Sequence, residues 1–439
     1  MINYKRLISA SIILVVAGLC MAQTSTNSPY TRYGFGQLSD QNFGNSKAMG
    51  GIAYGLRNGY QINASNPASY TAIDSLTFLF DAGLTLQNAN FKDGSVKTNA
   101  KNSSFDYLAM QFRLWKKMAM TAGFLPFSTV GYNLSKTNSF ADVDNDGYWS
   151  ETFTGDGGFN QVFVGLGYKV FKNLSVGANI SYLYGDITHQ SMTAIGSAST
   201  YSIKLEEFSV SDYKLDLGLQ YTYNINKKNA VNIGAIYSLG HTLNGEAHKY
   251  HQTAATNSYG SLAVQTQTGD TISNPFKMPH TLGVGLTYVY DNRLTVGVDY
   301  TLQKWETADM NWNKFGKESV EMSNRTKIAI GAEFIPDYYS HNYLKRIYYR
   351  AGAYYSSPYN KVNYTDPATQ ATVTCDGARE YGVSIGFGLP MFQSKSILNI
   401  SGQYVKVSPK FKGLIEENYL KINIGLTFNE RWFMKWKVN

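Results

Sequence analysis

Charge is scarce in this chain: only 16% of its 439 residues are Asp, Glu, Lys or Arg, and the formal net charge is +8. Lys and Arg are scattered, with no basic run of the kind a nucleic-acid groove needs, so nucleic acid is not expected as a partner. Cysteine is scarcer still, with Cys20 and Cys375 alone. Cys375 cannot form an internal disulfide once Cys20 is removed, and it lies in a polar stretch, as an inert thiol would. Beyond Gln23 no stretch of about 18 apolar residues occurs, which excludes a transmembrane helix. The six histidines, at 189, 241, 248, 251, 280 and 341, show no motif linking any of them to a nucleophile. His248 and His251 have metal-like spacing but no third ligand nearby in sequence. No glycine loop opens a helix to hold phosphate. An enzyme is therefore not expected.

What is present starts with a leader. Lys5 and Arg6 precede the apolar run Leu7 to Ala17, and Cys20-Met21-Ala22 offers a small-residue cleavage site, so residues 1–22 read as a secretory signal peptide. A lipoprotein signal ending at Cys20 is the rival, but Leu19 stands where that signal wants a small residue. A membrane anchor is the other rival, and the run is too short to span comfortably. Cleavage leaves 417 residues and lowers the formal charge from +8 to +6. That length exceeds one usual globular domain, yet no linker divides it.

From about residue 76 the apolar residues alternate strictly. Leu294, Val296, Val298, Tyr300 and Leu302 interleave with Thr295, Gly297, Asp299, Thr301 and Gln303. Leu420 to Phe428 and Val162 to Val170 repeat the pattern. A period of two means strands, and runs of about 10 to 13 residues suit a tilted strand crossing a bilayer. About 14 such runs start near residues 76, 104, 118, 158, 174, 214, 230, 279, 294, 325, 347, 379, 396 and 417, an even number as single-chain bacterial barrels have. Connections alternate short (115–117, 171–173, 226–229, 291–293) and long (133–157, 187–213, 240–278, 306–324), the parity of a membrane barrel with tight periplasmic turns. A sandwich has no reason to keep that parity, and no propeller-length repeat occurs. High Tyr and Phe counts, 34 and 23, supply interfacial girdles. The expected fold is an all-β transmembrane antiparallel β-barrel of about 14 strands in an outer membrane, with lipid as its surroundings.

Residues 23–73 do not alternate, and residues 74–439 hold the strands. The N-terminal part is rich in Gly, Asn, Ser and Tyr, with Ala48 to Ala53 and Ile62 apolar enough to pack. It reads as a hatch or plug inside the lumen, the alternative being a loose tail. Gly123-Phe124-Leu125-Pro126-Phe127 interrupts the third strand. Pro126 has no N–H for the ladder, so it marks either a lateral opening in the wall or only the strand's outer end. Asp142, Asp144 and Asp146 with Gly147 resemble the start of a calcium loop, but Phe153 stands where the bidentate Glu belongs, so a solvated loop remains the alternative. The tail 429–439 carries Arg431, Lys435 and Lys437 among Trp432, Phe433 and Trp436. It suits membrane anchoring, a barrel-insertion signal or a docked partner.

Several segments together resemble the FadL-type family of outer-membrane transporters for hydrophobic compounds. Asn66-Pro67-Ala68 is similar to the family's hatch motif. Pro279 to Gly285, Asp291 to Val296, then Asp299-Tyr300 and Trp305 resemble its hairpin, and Ile328 to Phe334 followed by Arg350-Ala351-Gly352 resembles the next pair. The resemblance implies a hatch-blocked barrel of 14 strands that takes hydrophobic small molecules into its lumen and releases them sideways at the kinked third strand. The long loops here are polar and lack an apolar helix pair, a departure that bears on substrate. Some FadL-like barrels resemble accessory parts of secretion or assembly machines instead, so a non-transporting role in an outer-membrane protein complex is the alternative.

Overall fold

The computed structural model describes residues 26–139, 148–195, 200–256, 261–308, 321–365, 372–391, 395–411 and 414–431. Residues 1–22, read above as a leader, the aspartates 142, 144 and 146, and the tail from Trp432 onward lie outside these residues.

Fourteen antiparallel strands close on themselves. They are β1 (Thr77–Asp93), β2 (Val96–Trp115), β3 (two pieces, Met118–Pro126 and Ser128–Ser139), β4 (Tyr148–Lys169) and β5 (Leu174–Ile195). There follow β6 (Thr200–Asn224), β7 (Asn229–Ser238), β8 (Thr281–Tyr290), β9 (Leu294–Gln303) and β10 (Arg325–Phe334). The ring ends with β11 (Tyr348–Ser356), β12 (Arg379–Pro390), β13 (Ile397–Ser408) and β14 (Glu416–Arg431), and β14 pairs with β1 to close it.

The two-residue rhythm is resolved as expected. Val284, Ile330 and Ile385 are more than half exposed, while Asp299, Thr287 and Ser384 are buried within the same wall. An aliphatic band exposed all around a barrel is stable only against lipid. Tyr168, Tyr221, Tyr223, Tyr288 and Tyr290 ring one rim and Tyr182, Tyr213, Tyr300, Tyr381 and Tyr404 the other, the positions of two interfacial girdles.

The long connections differ from their reading as loops. β4, β5 and β6 run 22, 22 and 25 residues, against 10 in β7 to β10. Segment 240–278 holds a hairpin, Gly245–Thr256 with Leu262–Ser273, that adds to β6 beyond the point where β7 ends. Outside the bilayer both faces of a strand meet water, so polar residues occupy both and the alternation vanishes while the backbone ladder continues.

Candidate functional site

The N-terminal segment runs against the inward faces of strands around the ring. Asn66 caps the 3-10 turn Pro67–Ala72 by accepting from the Ala68 N–H at 3.1 Å, with proline at the first turn position. Its amide also donates to Tyr54 O at 2.8 Å and to Leu219 O of β6 at 3.2 Å. Asn66 and Ala68 are fully buried, and a Cβ added at Gly177 of β5 would meet Pro67 at 2.4 Å. On the far wall the Asp299 carboxylate of β9 accepts from the N–H groups of Ala53 and Tyr54, at 2.6 and 2.8 Å. Ser384 of β12 accepts from Gly50 N–H at 2.9 Å and donates to Ala48 O at 3.0 Å. Tyr107 of β2 receives the Gly44 N–H at 2.9 Å.

Ion pairs reinforce this. Lys47 meets Asp106 of β2 at 2.7 Å, and Asp40 meets Lys327 of β10 at 3.0 Å. Burial works against the Asp40 charge, yet Lys327, Lys421 and Lys47 overcome it and hold the carboxyl well below the ordinary range. Within the wall, Glu333 and Arg350, cross-strand partners on β10 and β11, join at 2.6 Å.

Phe35 marks the upper end of this segment. Its ring lies 4.8 Å from Phe276, 5.3 Å from Trp305, 5.7 Å from Phe159 and 6.0 Å from Phe127. It is fully buried, level with the long-loop ends of β8 and β9. The sequence offered no signal that Phe35 would find these rings, since its partners are spread from residue 127 to 305.

The third strand is where the wall departs from regularity. β2 pairs with β3 only over Leu108–Trp115. Past Pro126 the second piece of β3 pairs with β4, and its other edge receives Gln37–Leu38 of the N-terminal segment. Among the described residues no strand pairs with Val96–Tyr107 on that side, so the two edges flank a gap. Gly157 and Gly158 on β4 opposite the break adopt φ of +107° and +147°, and a Cβ at Gly158 would meet Ser128 O at 2.3 Å, so only glycine fits there. Phe105 and Phe124 lie 5.9 Å apart at the lower rim. Of the residues singled out in sequence, Phe124 and Pro126 line this place together and Gly123 sits just below, paired with Ala109.

Residues 27–31 lie in the gap. Asn27 donates to Asn102 of β2 at 2.9 Å, and Thr31 exchanges contacts with the Gly131 backbone of β3 at 3.3 and 3.4 Å. Ser28 donates to Glu417 of β14 at 2.6 Å. Behind this strap is a cavity of about 440 Å³ that reaches Phe105, Phe124 and Pro126.

Other candidates are isolated. Cys375 is buried in the short hairpin Lys361–Thr365 with Thr372–Asp376, and burial pushes its thiol up, which slows its chemistry. His248 and His251 stand on the outer hairpin, and among the described residues no three ligating side chains converge.

The chain matches a family model described as BamG over residues 1–439. No curated protein matches it. Among solved structures, the Pseudomonas putida toluene transporter TodX aligns at TM-score 0.58 and 16% identity over 90% of this chain and 100% of that one. The Ralstonia pickettii toluene transporter TbuX aligns at 0.56 and 15%, over 90% and 99%, and a Pseudomonas aeruginosa FadL homologue at 0.58 and 11%, over 89% and 99%. At these identities the likeness is one of fold: a closed barrel of the FadL type.

Proposed function

The chain belongs to the BamG family, and from that membership, its FadL-type fold and its interrupted third strand we propose a hatch-closed barrel of a Gram-negative outer membrane. Residues 23–73 are the hatch. Hydrophobic small molecules pass passively between the lumen and the membrane through the gap between β2 and β3, with Gly123, Phe124 and Pro126 at the lateral gate. No covalent step is needed. The driving force is removal of apolar area from water, about 25 cal/mol per Å².

The observation that carries this reading is the unpaired β2 edge beside the break at Pro126. In lipid an unpaired backbone group costs several kcal/mol, so a wall that leaves an edge open serves something that uses the opening. Cysteines replacing Asn27 and Asn102, tied by a short bis-maleimide, test it in proteoliposomes. The tie should stop transfer of a fluorescent hydrophobic probe into the bilayer; transfer at the untied rate would remove the lateral route.

A second reading is an accessory barrel in an outer-membrane secretion or assembly complex. It is favoured by Phe35, which is held among four aromatic rings at the long-loop end, and by the tall sheet of β4, β5, β6 and the hairpin. Native mass spectrometry of gently solubilised protein separates the two. A stoichiometric protein partner supports the accessory role, and a co-purified lipid-like molecule supports passage.

A further inference from the structure

The cavity behind the gap has two unlike sides. Phe105, Phe124, Pro126 and Val130 line it beside the opening. Lys47, Arg325 and Lys421 stand deeper, together with Asp40, Asp106, Asp156 and Glu380, and the Tyr354 hydroxyl donates to Glu380. Alternation requires this: Tyr381, Leu420 and Ile422 point outward and are exposed, so Glu380 and Lys421 point in. Some of these charges are already matched, Lys47 by Asp106 and Asp40 by Lys327. Others are not. Arg325 donates to Ser356 Oγ at 2.8 Å and to Gln303 at 3.5 Å, neither of them charged. Lys421 acts on Asp40 from across the cavity, but among the described residues it closes no ion pair with a carboxylate and lies 5.7 Å from the Tyr419 ring. The Gln87 Nε2 group, which also lines the cavity, is buried and finds no acceptor.

A pure hydrocarbon would strip water from these groups and return nothing for it. A simple anion would satisfy Lys421 and Arg325 while facing Glu380. We propose that the cavity takes an amphiphile with a zwitterionic head, its anionic group toward Lys421 and Arg325, its cationic group toward Glu380, and its tail leaving through the gap over the paired Phe105 and Phe124 rings into the bilayer. This rests on the lateral opening proposed above and names the class of molecule that uses it. The polarity of the site sets it apart from a channel for unsubstituted aromatics: the tail binds to membrane and ring edges, and the head is held by fixed charges inside.

Native mass spectrometry of the mature full-length barrel tests this. Samples are equilibrated with phosphatidylethanolamine, with phosphatidylglycerol, or with glycerophosphoethanolamine, which is the head without tails. The lipid phosphatidylethanolamine should be retained several-fold over phosphatidylglycerol. Lys421→Gln and Glu380→Gln, each preserving shape, should each abolish that preference. Retention of the tail-free head equal to that of the lipid would overturn the role of the gap, leaving a free zwitterion as ligand. Equal retention of both lipids, or a preference unchanged in both variants, would overturn the head assignment. The Asn27–Asn102 tie keeps the two levels apart: blocked probe transfer with unselective lipid retention sinks this inference alone.

Discussion

Phe35 shows how one side chain can fix a segment that has little secondary structure of its own. Four aromatic rings enclose it, and truncating such a ring costs about 3–5 kcal/mol. Phe35→Ala should free residues 26–43 while sparing the wall, read as faster proteolysis near Tyr33 with unchanged heat-modifiable migration of the barrel. Asp40 adds an electrostatic tie with a defined pH range. Its folded-state value is depressed, so the tie contributes at all pH above the ordinary carboxylate value of about 4. It is lost only as pH falls through the lower folded-state value. The hydrogen-exchange protection factors of residues 37–47, with the intrinsic pH dependence of amide exchange divided out, should therefore be level from pH 8 to 5 in the native chain and lowered throughout in Asp40→Asn. At this scale the sequence was partly readable. Asp299, Glu333 and Arg350 occupy inward positions of otherwise apolar strands, where a charge must have a partner. Which partner each has, backbone N–H for Asp299 and each other for Glu333 and Arg350, depends on tertiary register.

Strands were legible where lipid imposes the two-residue rhythm and illegible where it does not. The apolar runs starting near 158 and 214 begin ten or more residues after β4 and β6 do. Those upper parts are solvated on both faces, and nothing in their order of polar residues distinguishes a strand from a loop. The break in β3 was signalled by Pro126. The glycines that accommodate it on β4 and β5, Gly157, Gly158 and Gly185, carry positive φ and were not recognised as a set. Gly158→Ala should strain the backbone and press on Ser128 O, lowering the melting temperature of the barrel without changing its strand content by circular dichroism. An unchanged melting temperature would mean that the break is looser than its contacts indicate. That residues 26–38 would fill the opening could not be read from sequence, because the contacts join positions such as Ser28 and Glu417 that lie 389 residues apart.

For the molecule as a whole, two different demands meet in one wall. The outer surface must match hydrocarbon, which the exposed aliphatic band does, and the interior must satisfy a polar segment packed into it. The lopsided height follows from neither. β4 to β6 rise 12 to 15 residues past their short neighbours, roughly 40 to 50 Å of strand at about 3.3 Å per residue, and their outer ends offer a platform that passage does not require. The claim on which the rest depends is that residues 23–73 block the lumen. Liposome swelling with small neutral solutes, comparing the native barrel with one lacking residues 23–60, tests it most directly. The native barrel should be nearly impermeable and the shortened one should swell fast. Equal swelling of two correctly folded barrels would show that the lumen is obstructed by something else, or was never closed.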